Sequence, residues 1–217
     1  MLTPRRTPAE ELLDAHDAPR EEMERSLRDL RWINRYCGGI RIYRSLVKTF
    51  APRSIVDLGT GTSDLLESVP HVPLRIGLDF KIDHLLYLRH GSPVHRIVGD
   101  AFHLPFRDGA VDLVTSAHFF HHFSPEENEK ILGQSLRIAR RGVAVNDTRR
   151  HYVPLLFVLL LGALRFFGRI TRIDAPASVR QGYTLGEARE IASRIRGAAR
   201  ATIVRKFPYR FGLLLWK

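Results

Sequence analysis

Three acidic residues, each following a short apolar run, are the first candidates for chemistry. Asp57-Leu58-Gly59-Thr60-Gly61-Thr62-Ser63-Asp64 follows one such run. A glycine-rich turn between a strand and a helix lets backbone N–H groups approach a ligand closely, and the helix N-terminus adds its positive dipole end. Dinucleotide and S-adenosylmethionine sites both use such a turn. Asp79 lies twenty residues after Gly59 and closes the next run, where a carboxylate accepts the hydroxyls of a ribose. Asp100 closes the third, placed to accept from an adenine amino group. Any one of them also suits a helix cap, but three at successive strand ends point to a nucleoside.

A second group lies further along. His118, His121 and His122 follow a fourth apolar run; in a helical turn they share one face. A free phenol has a pKa of about 10, so a histidine near neutrality within reach is a suitable general base for activating one. His121 is the first choice, with His122 and Asp147 as substitutes. A three-histidine metal site lacks a fourth ligand in the nearby sequence, so no metal is expected. Asn146-Asp147-Thr148-Arg149-Arg150 ends a fifth run, and Arg149 is suited to an acceptor's phenolate or carboxylate.

These residues need a parallel sheet to bring them to one edge. Ser54–Leu58, Leu74–Leu78, Val94–Val98, Val111–Thr115 and Gly142–Val145 read as strands, mostly separated by helical segments, a pattern that implies a parallel sheet covered on both faces. Ala201–Lys206 and Arg210–Trp216 flank only Phe207-Pro208-Tyr209 and predict an antiparallel hairpin at the sheet edge. Residues 8–50 read as helices interrupted at Gly38-Gly39 and stopped at Ala51-Pro52-Arg53. The expected division is an N-terminal helical cap over residues 1–50 and a ligand-binding domain over 51–217, with an apolar helical insertion at about 150–172. Within it Val153–Leu164 is apolar apart from its glycine, too short to span a bilayer.

In this order and spacing, Asp57-x-Gly59-x-Gly61, Ile76-Gly77-Leu78-Asp79, Val98-Gly99-Asp100-Ala101-x-x-Leu104-Pro105-Phe106 and Asp112-Leu113-Val114 resemble the serial motifs of class I S-adenosylmethionine-dependent methyltransferases. Phe119-Phe120-His121-His122-Phe123 is similar to the quinone-biosynthesis type. Leu30-Arg31-Trp32-Ile33-Asn34-Arg35-Tyr36-Cys37-Gly38-Gly39 and Asn146-Asp147-Thr148-Arg149-Arg150 resemble stretches of small bacterial methyltransferases of polyketide and phenolic-lipid pathways, within secondary metabolism. One departure is Ser63 at the usual third glycine. The resemblance implies a Rossmann-like α/β fold with a seven-stranded, mostly parallel sheet. It also implies S-adenosylmethionine as cofactor: Gly59 and Gly61 along its methionine part, Asp57 at its amino group, Asp79 at the ribose, Asp100 and Ala101 at the adenine, Ser116 and Ala117 by the sulfonium, with Phe80 also among the cofactor-binding residues. Asn34, Arg35, His118, Arg149, Leu156 and Leu160 are the expected acceptor-binding residues. An NAD dehydrogenase would want a Tyr-x-x-x-Lys set, but Leu156 stands four residues after Tyr152.

Composition bounds the partners. With 44% hydrophobic and 26% charged residues in 217 the chain is of globular type. Its single cysteine permits no internal disulfide, and residues 1–20 are polar, so a cytoplasmic location is expected. The net charge of +11 is concentrated at the end, where residues 147–217 carry fourteen basic and four acidic side chains. The expected acceptor is a small hydrophobic phenol, quinol or polyketide, methylated on oxygen or carbon. Val153–Leu164 is read as the wall of its pocket, with Arg165, Arg169 and Arg172 suited to anionic headgroups; ordinary core or a homodimer interface are the alternatives for that run. Nucleic acid is disfavoured, since the fourth run exits through Thr115-Ser116-Ala117-His118 rather than an Asn/Asp-Pro-Pro-aromatic turn. A nucleic-acid or protein methyltransferase working through the basic third, and a non-catalytic binding subunit, are the other readings.

Overall fold

The computed structural model describes residues 3–14, 18–87 and 91–217. A segment through a 3-10 turn at Leu12–Asp14 precedes α1 (Arg20–Tyr36) and α2 (Gly39–Phe50). Then follow β1 (Ser54–Leu58), α3 (Asp64–Glu67), β2 (Leu74–Asp79), α4 (Ile82–Leu86), β3 (His95–Val98) and β4 (Val111–Ala117). After a 3-10 turn at Phe120–His122 come α5 (Pro125–Ile138), β5 (Ala139–Thr148), α6 (Tyr152–Ala163), α7 (Arg169–Gln181), α8 (Leu185–Ser193), β6 (Arg200–Lys206) and β7 (Arg210–Trp216).

The seven strands among the described residues form one sheet in the order β3-β2-β1-β4-β5-β7-β6. The first five pair in parallel, and β7 runs antiparallel to both β5 and β6. The expected mostly parallel sheet with a C-terminal hairpin is therefore present. The order reverses at β1, so the edge beyond β1 and β4 is where an open α/β sheet leaves a crevice for a ligand. Strand β5 starts at Ala139, earlier than its apolar run: Ala139 pairs with Val111, and the exposed Arg140 and Arg141 lie at a register shift before Gly142 pairs with Leu113.

Side chains alternate between faces along each strand, and the two cores follow. Phe211, Leu213 and Leu215 of β7 join Val143 and Val145 beneath α5 and α8. Leu214 turns to the other face with Ile55 and Leu113, beneath α2 and α3. Ile42, Tyr43, Leu46 and Val47 of α2 are buried in that second core, so residues 1–50 are not a separate layer: α2 belongs to the sheet domain. What stands over the edge is the segment before α1, with α1 and α7, joined through Leu13, Leu27 and Ile170.

The apolar run forms α6 as a helix, but not as a buried one. Of its residues only Leu155 is buried, while Val153, Leu156, Phe157, Leu159 and Leu160 are exposed. No described helix is long and apolar enough to cross a membrane.

Candidate active site

Strand β1 ends in a turn that only small residues tolerate. Gly59 has φ +62°, and a Cβ there would meet the Phe119 ring at 2.2 Å. Gly61 has φ +51° and open space where its Cβ would be, so its backbone is approachable from the cavity. Ser63, at the departure from the glycine pattern, also takes a left-handed conformation, with φ 55°, and its hydroxyl bonds that of Thr60 at 3.1 Å.

The three strand-end acids converge on a cavity of about 400 Å³, within the range of small-molecule sites. Asp57 accepts from Thr115 Oγ1 at 2.6 Å, and Thr115 is tied to the Tyr43 hydroxyl at 2.9 Å. Burial pushes the Asp57 carboxyl up to about 6 despite the hydroxyls of Thr115 and Thr60. A buried acid of that kind favours a cationic partner, as the amino group of a bound S-adenosylmethionine would be. Asp79 accepts from the amides of Gly61 at 2.8 Å and Lys81 at 2.9 Å. Burial raises its pKa, but His84 and these amides outweigh burial and leave it below the ordinary carboxylate value. Asp100 accepts from the Phe102 amide and His103, both at 2.8 Å, which lowers it as well. The open backbone at Gly61 and these three carboxylates fit a nucleoside carrying an amino acid.

Ala101, Ala117 and Phe80 also border the cavity. Ser116 is buried within β4 and does not line it. Asn34 does, and its amide donates to Asp64 at 3.2 Å, which links α1 to the glycine-rich turn.

The histidines part company. His118 borders the cavity but its Nε2 is bonded to Arg210; burial and the Arg210 charge hold its pKa well below the ordinary value. His121 lies in the 3-10 turn with its Nδ1 2.8 Å from Asp147 Oδ1, its amide bonded to the same carboxylate at 3.0 Å and its Nε2 3.5 Å from Glu11 Oε1. Burial disfavours the charged ring, yet Asp147 and Glu11 outweigh burial and push it up to about 10. Asp147, wholly buried, falls to about 2 because His121 overrides its own burial. His122 stacks on His121 with centroids 4.3 Å apart, its Nδ1 3.4 Å from Asp14 and its Nε2 4.0 Å from Glu11. Burial, then the His121 charge, lowers its pKa.

Glu11 and Asp14 come from the N-terminal segment, which is strapped across the site. Arg6 donates to the carbonyls of Gln181, Phe123 and His121 and lies over the Tyr183 ring. Asp174 accepts from the amides of Leu12 and Leu13, both at 2.9 Å. Glu11 itself accepts from Ser178 and Gln181. Its pKa falls because the two histidines outweigh burial.

Four expected acceptor-binding residues lie elsewhere. Arg149 leaves the strand edge outward, its guanidinium over Tyr209 and its charge opposed by burial and by Arg205. Arg35 is on the exposed side of α1. Leu156 and Leu160, 63% and 58% exposed, are absent from the cavity lining; α6 rests on α7 and turns its apolar surface outward. Conversely, Glu11, Asp14 and Ser178 line the cavity without any signal in the sequence beyond the acidity of residues 10–14.

Residues 56–145 match the family described as a methyltransferase domain. A demethylmenaquinone methyltransferase of Thermus thermophilus is 37% identical over 123 residues, covering 52% of this chain and 51% of that protein; the chain thus matches about half the length of this curated relative. Among solved structures, a plantazolicin methyltransferase in complex with S-adenosylhomocysteine superposes with a TM-score of 0.70 at 15% identity, covering 93% of this chain and 91% of that one. A SAM-dependent methyltransferase from Aquifex aeolicus gives 0.63 at 18%, covering 89% and 97%. These two likenesses are of fold. With the serial motifs in place at the strand ends, residues 56–145 are similar to the methyltransferase domain family, and the chain has the fold of these S-adenosylmethionine-dependent methyltransferases.

Proposed function

We propose that the protein transfers a methyl group from S-adenosylmethionine to a small hydrophobic phenol or quinol. The observation that carries this reading is one cavity bordered by both sets of groups: Asp57, Asp79 and Asp100 on the cofactor side, and the His121–His122 pair with its carboxylates on the other. When bound, the cofactor supplies an electrophilic methyl on a sulfonium. The chain's own part is to hold donor and acceptor in line, exclude water and take a proton. Gly59, Gly61 and Asp57 hold the methionine part, Asp79 the ribose and Asp100 the adenine.

The proton acceptor in this reading is His122, not His121. The His121 side chain is 2% exposed and its ring nitrogens stand 2.8 and 3.5 Å from carboxylates, whereas that of His122 is 21% exposed at the cavity and its carboxylates stand farther off, at 3.4 and 4.0 Å. Asp14 orients the His122 ring through Nδ1, leaving Nε2 toward Glu11 and the cavity. His121 and Asp147 are positioning residues that fix the stacked pair.

Labelled-methyl transfer over a panel of phenols, quinols and alkylresorcinols tests the reading. Transfer to oxygen or ring carbon of at least one class, lost in His122→Ala but largely kept in His118→Ala, supports it. Activity on RNA alone overturns it.

The acceptor's hydrophobicity is supported by α6, which serves in this reading as a contact with an anionic membrane surface rather than as the wall of the pocket. Its exposed Leu156, Phe157 and Leu160 are followed by exposed Phe166 and Arg165, and near its start Arg149 and Arg205 repel one another. Apolar residues beside unneutralised cations suit a bilayer interface. A homodimer covering α6 is the competing arrangement.

A further inference from the structure

The cluster opposite the cofactor side has a feature that a proton acceptor does not need. Nε2 of His121, 2% exposed on its side chain, makes no hydrogen bond and faces Glu11 Oε1 at 3.5 Å. Nε2 of His122 faces the other oxygen of the same carboxylate at 4.0 Å. Donor atoms of Glu11, His121 and His122 all lie within 4.8 Å of one another. Three donors each about 2.0–2.2 Å from one ion stand roughly 3–3.5 Å apart, so a small closure of His122 brings the set to ligand spacing.

The surroundings match what metal-binding imidazoles require. A ligating histidine gives its other N–H to a carboxylate or carbonyl, which fixes the tautomer and orients the ring. His121 Nδ1 meets Asp147 at 2.8 Å and His122 Nδ1 meets Asp14 at 3.4 Å. The Glu11 carboxylate is itself oriented by Ser178 and by Gln181. Each of the three thus has a second partner holding its donor atom toward a common point. Two imidazoles and one carboxylate, with no thiolate, select Zn²⁺, Co²⁺, Ni²⁺ or Fe²⁺ over Mg²⁺ or Ca²⁺.

We infer that Glu11, His121 and His122 form a site for a divalent transition-metal ion, and that an ion held there suppresses methyl transfer. The ion displaces any proton on His121 Nε2 to solvent, and both imidazoles then coordinate through their Nε2 lone pairs. No metal is expected from the residues alone, because the histidines have no carboxylate or cysteine ligand near them along the chain; the strapped N-terminal segment supplies the missing carboxylate through Glu11. The inhibitory half rests on the assignment of His122 as proton acceptor, whereas the binding half does not.

Co²⁺ titration of the metal-freed 217-residue protein, followed by visible absorption, reads the site without turnover. One equivalent is expected to bind, to be displaced by Zn²⁺, and to bind about tenfold or more weakly in Glu11→Gln and in His122→Gln. His71→Ala, which changes an exposed histidine away from the cavity, should titrate as wild type. Asp14→Asn, a milder change behind His122, should show a smaller loss with an unchanged melting temperature, which separates ligand loss from misfolding. Absence of a one-equivalent absorption change, or equal affinity in all four variants, overturns the site. Zn²⁺ should also slow labelled-methyl transfer while leaving S-adenosylmethionine affinity by calorimetry unchanged. Tight binding through these residues with undiminished transfer keeps the site but overturns the inhibition and the role given to His122.

Discussion

The amide of Gly61 donates to Oδ2 of Asp79 at 2.8 Å. The carboxylate at the end of β2 therefore holds the glycine-rich turn after β1, and one side chain both shapes the turn and borders the cofactor side of the cavity. Thr60 adds a backbone bond to Leu78 at 3.1 Å, so the two strand ends act as one unit.

Asp79→Ala removes an acceptor from the turn as well as from the ligand. Hydrogen bonds to a charged group contribute about 1.5–3 kcal/mol, so calorimetry should show S-adenosylmethionine binding weakened roughly 10- to 100-fold. Asp79→Asn, which keeps an oxygen for the Gly61 amide, should fall between the two. Undiminished binding by the alanine variant would sink the cofactor assignment.

Asp57 gives the protein a pH dependence of known sign. Its carboxyl releases its proton at about 6 in the folded chain against 3.8 for the ordinary group. Between those values the folded state holds the extra proton, so stability falls as pH rises from about 4 to about 6 and is flat above. The cost is about 3 kcal/mol at neutral pH. Urea unfolding at pH 5 and 7.5 should show the wild type losing more stability than Asp57→Asn over that step. Cofactor affinity should move the other way, strengthening through pH 6 as the carboxylate forms to meet the ligand's ammonium. An affinity independent of pH in the wild type would refute the pairing.

The His121–Asp147 pair is buried, and removing one partner should cost more than removing both. Breaking a buried pair costs about 3–5 kcal/mol because it leaves a charge uncompensated. Asp147→Asn is expected to lower the urea midpoint strongly, and Asp147→Asn with His121→Gln to recover part of the loss. Additive effects would mean that the two side chains are not energetically coupled.

Vesicles decide what covers α6. The wild type should co-sediment with phosphatidylserine-containing vesicles and much less with phosphatidylcholine alone, with binding falling as salt is raised. Leu156→Asp with Leu160→Asp should abolish it and leave cofactor binding intact, since neither side chain borders the cavity. Light scattering showing a dimer that this double variant dissociates, without vesicle binding, would assign α6 to a second copy instead.

Strand and motif order were legible in the residues because short apolar runs ending in Gly and Asp leave few alternatives once a parallel sheet is required. The positions of Gly59, Gly61, Asp57, Asp79 and Asp100 on one edge follow from that connectivity alone. The hairpin was equally plain, since three residues between Lys206 and Arg210 cannot house a crossover.

The acceptor side was decided by tertiary structure. Local spacing grouped His118 with His121 and His122, but Arg210, brought alongside β5 by β7, bonds His118 and separates it from the pair. Asp147 looked like a cavity-facing base; its distance from His121 makes it the buried half of an ion pair. Period and composition say that α6 is apolar, not which way it faces; its packing on α7 turns Leu156 and Leu160 outward. Glu11 carries no mark in the sequence that distinguishes it from Glu10. It reaches His121 because Arg6 and Asp174 strap residues 6–13 over α7, and contacts separated by more than a hundred residues are set by packing, not by local pattern.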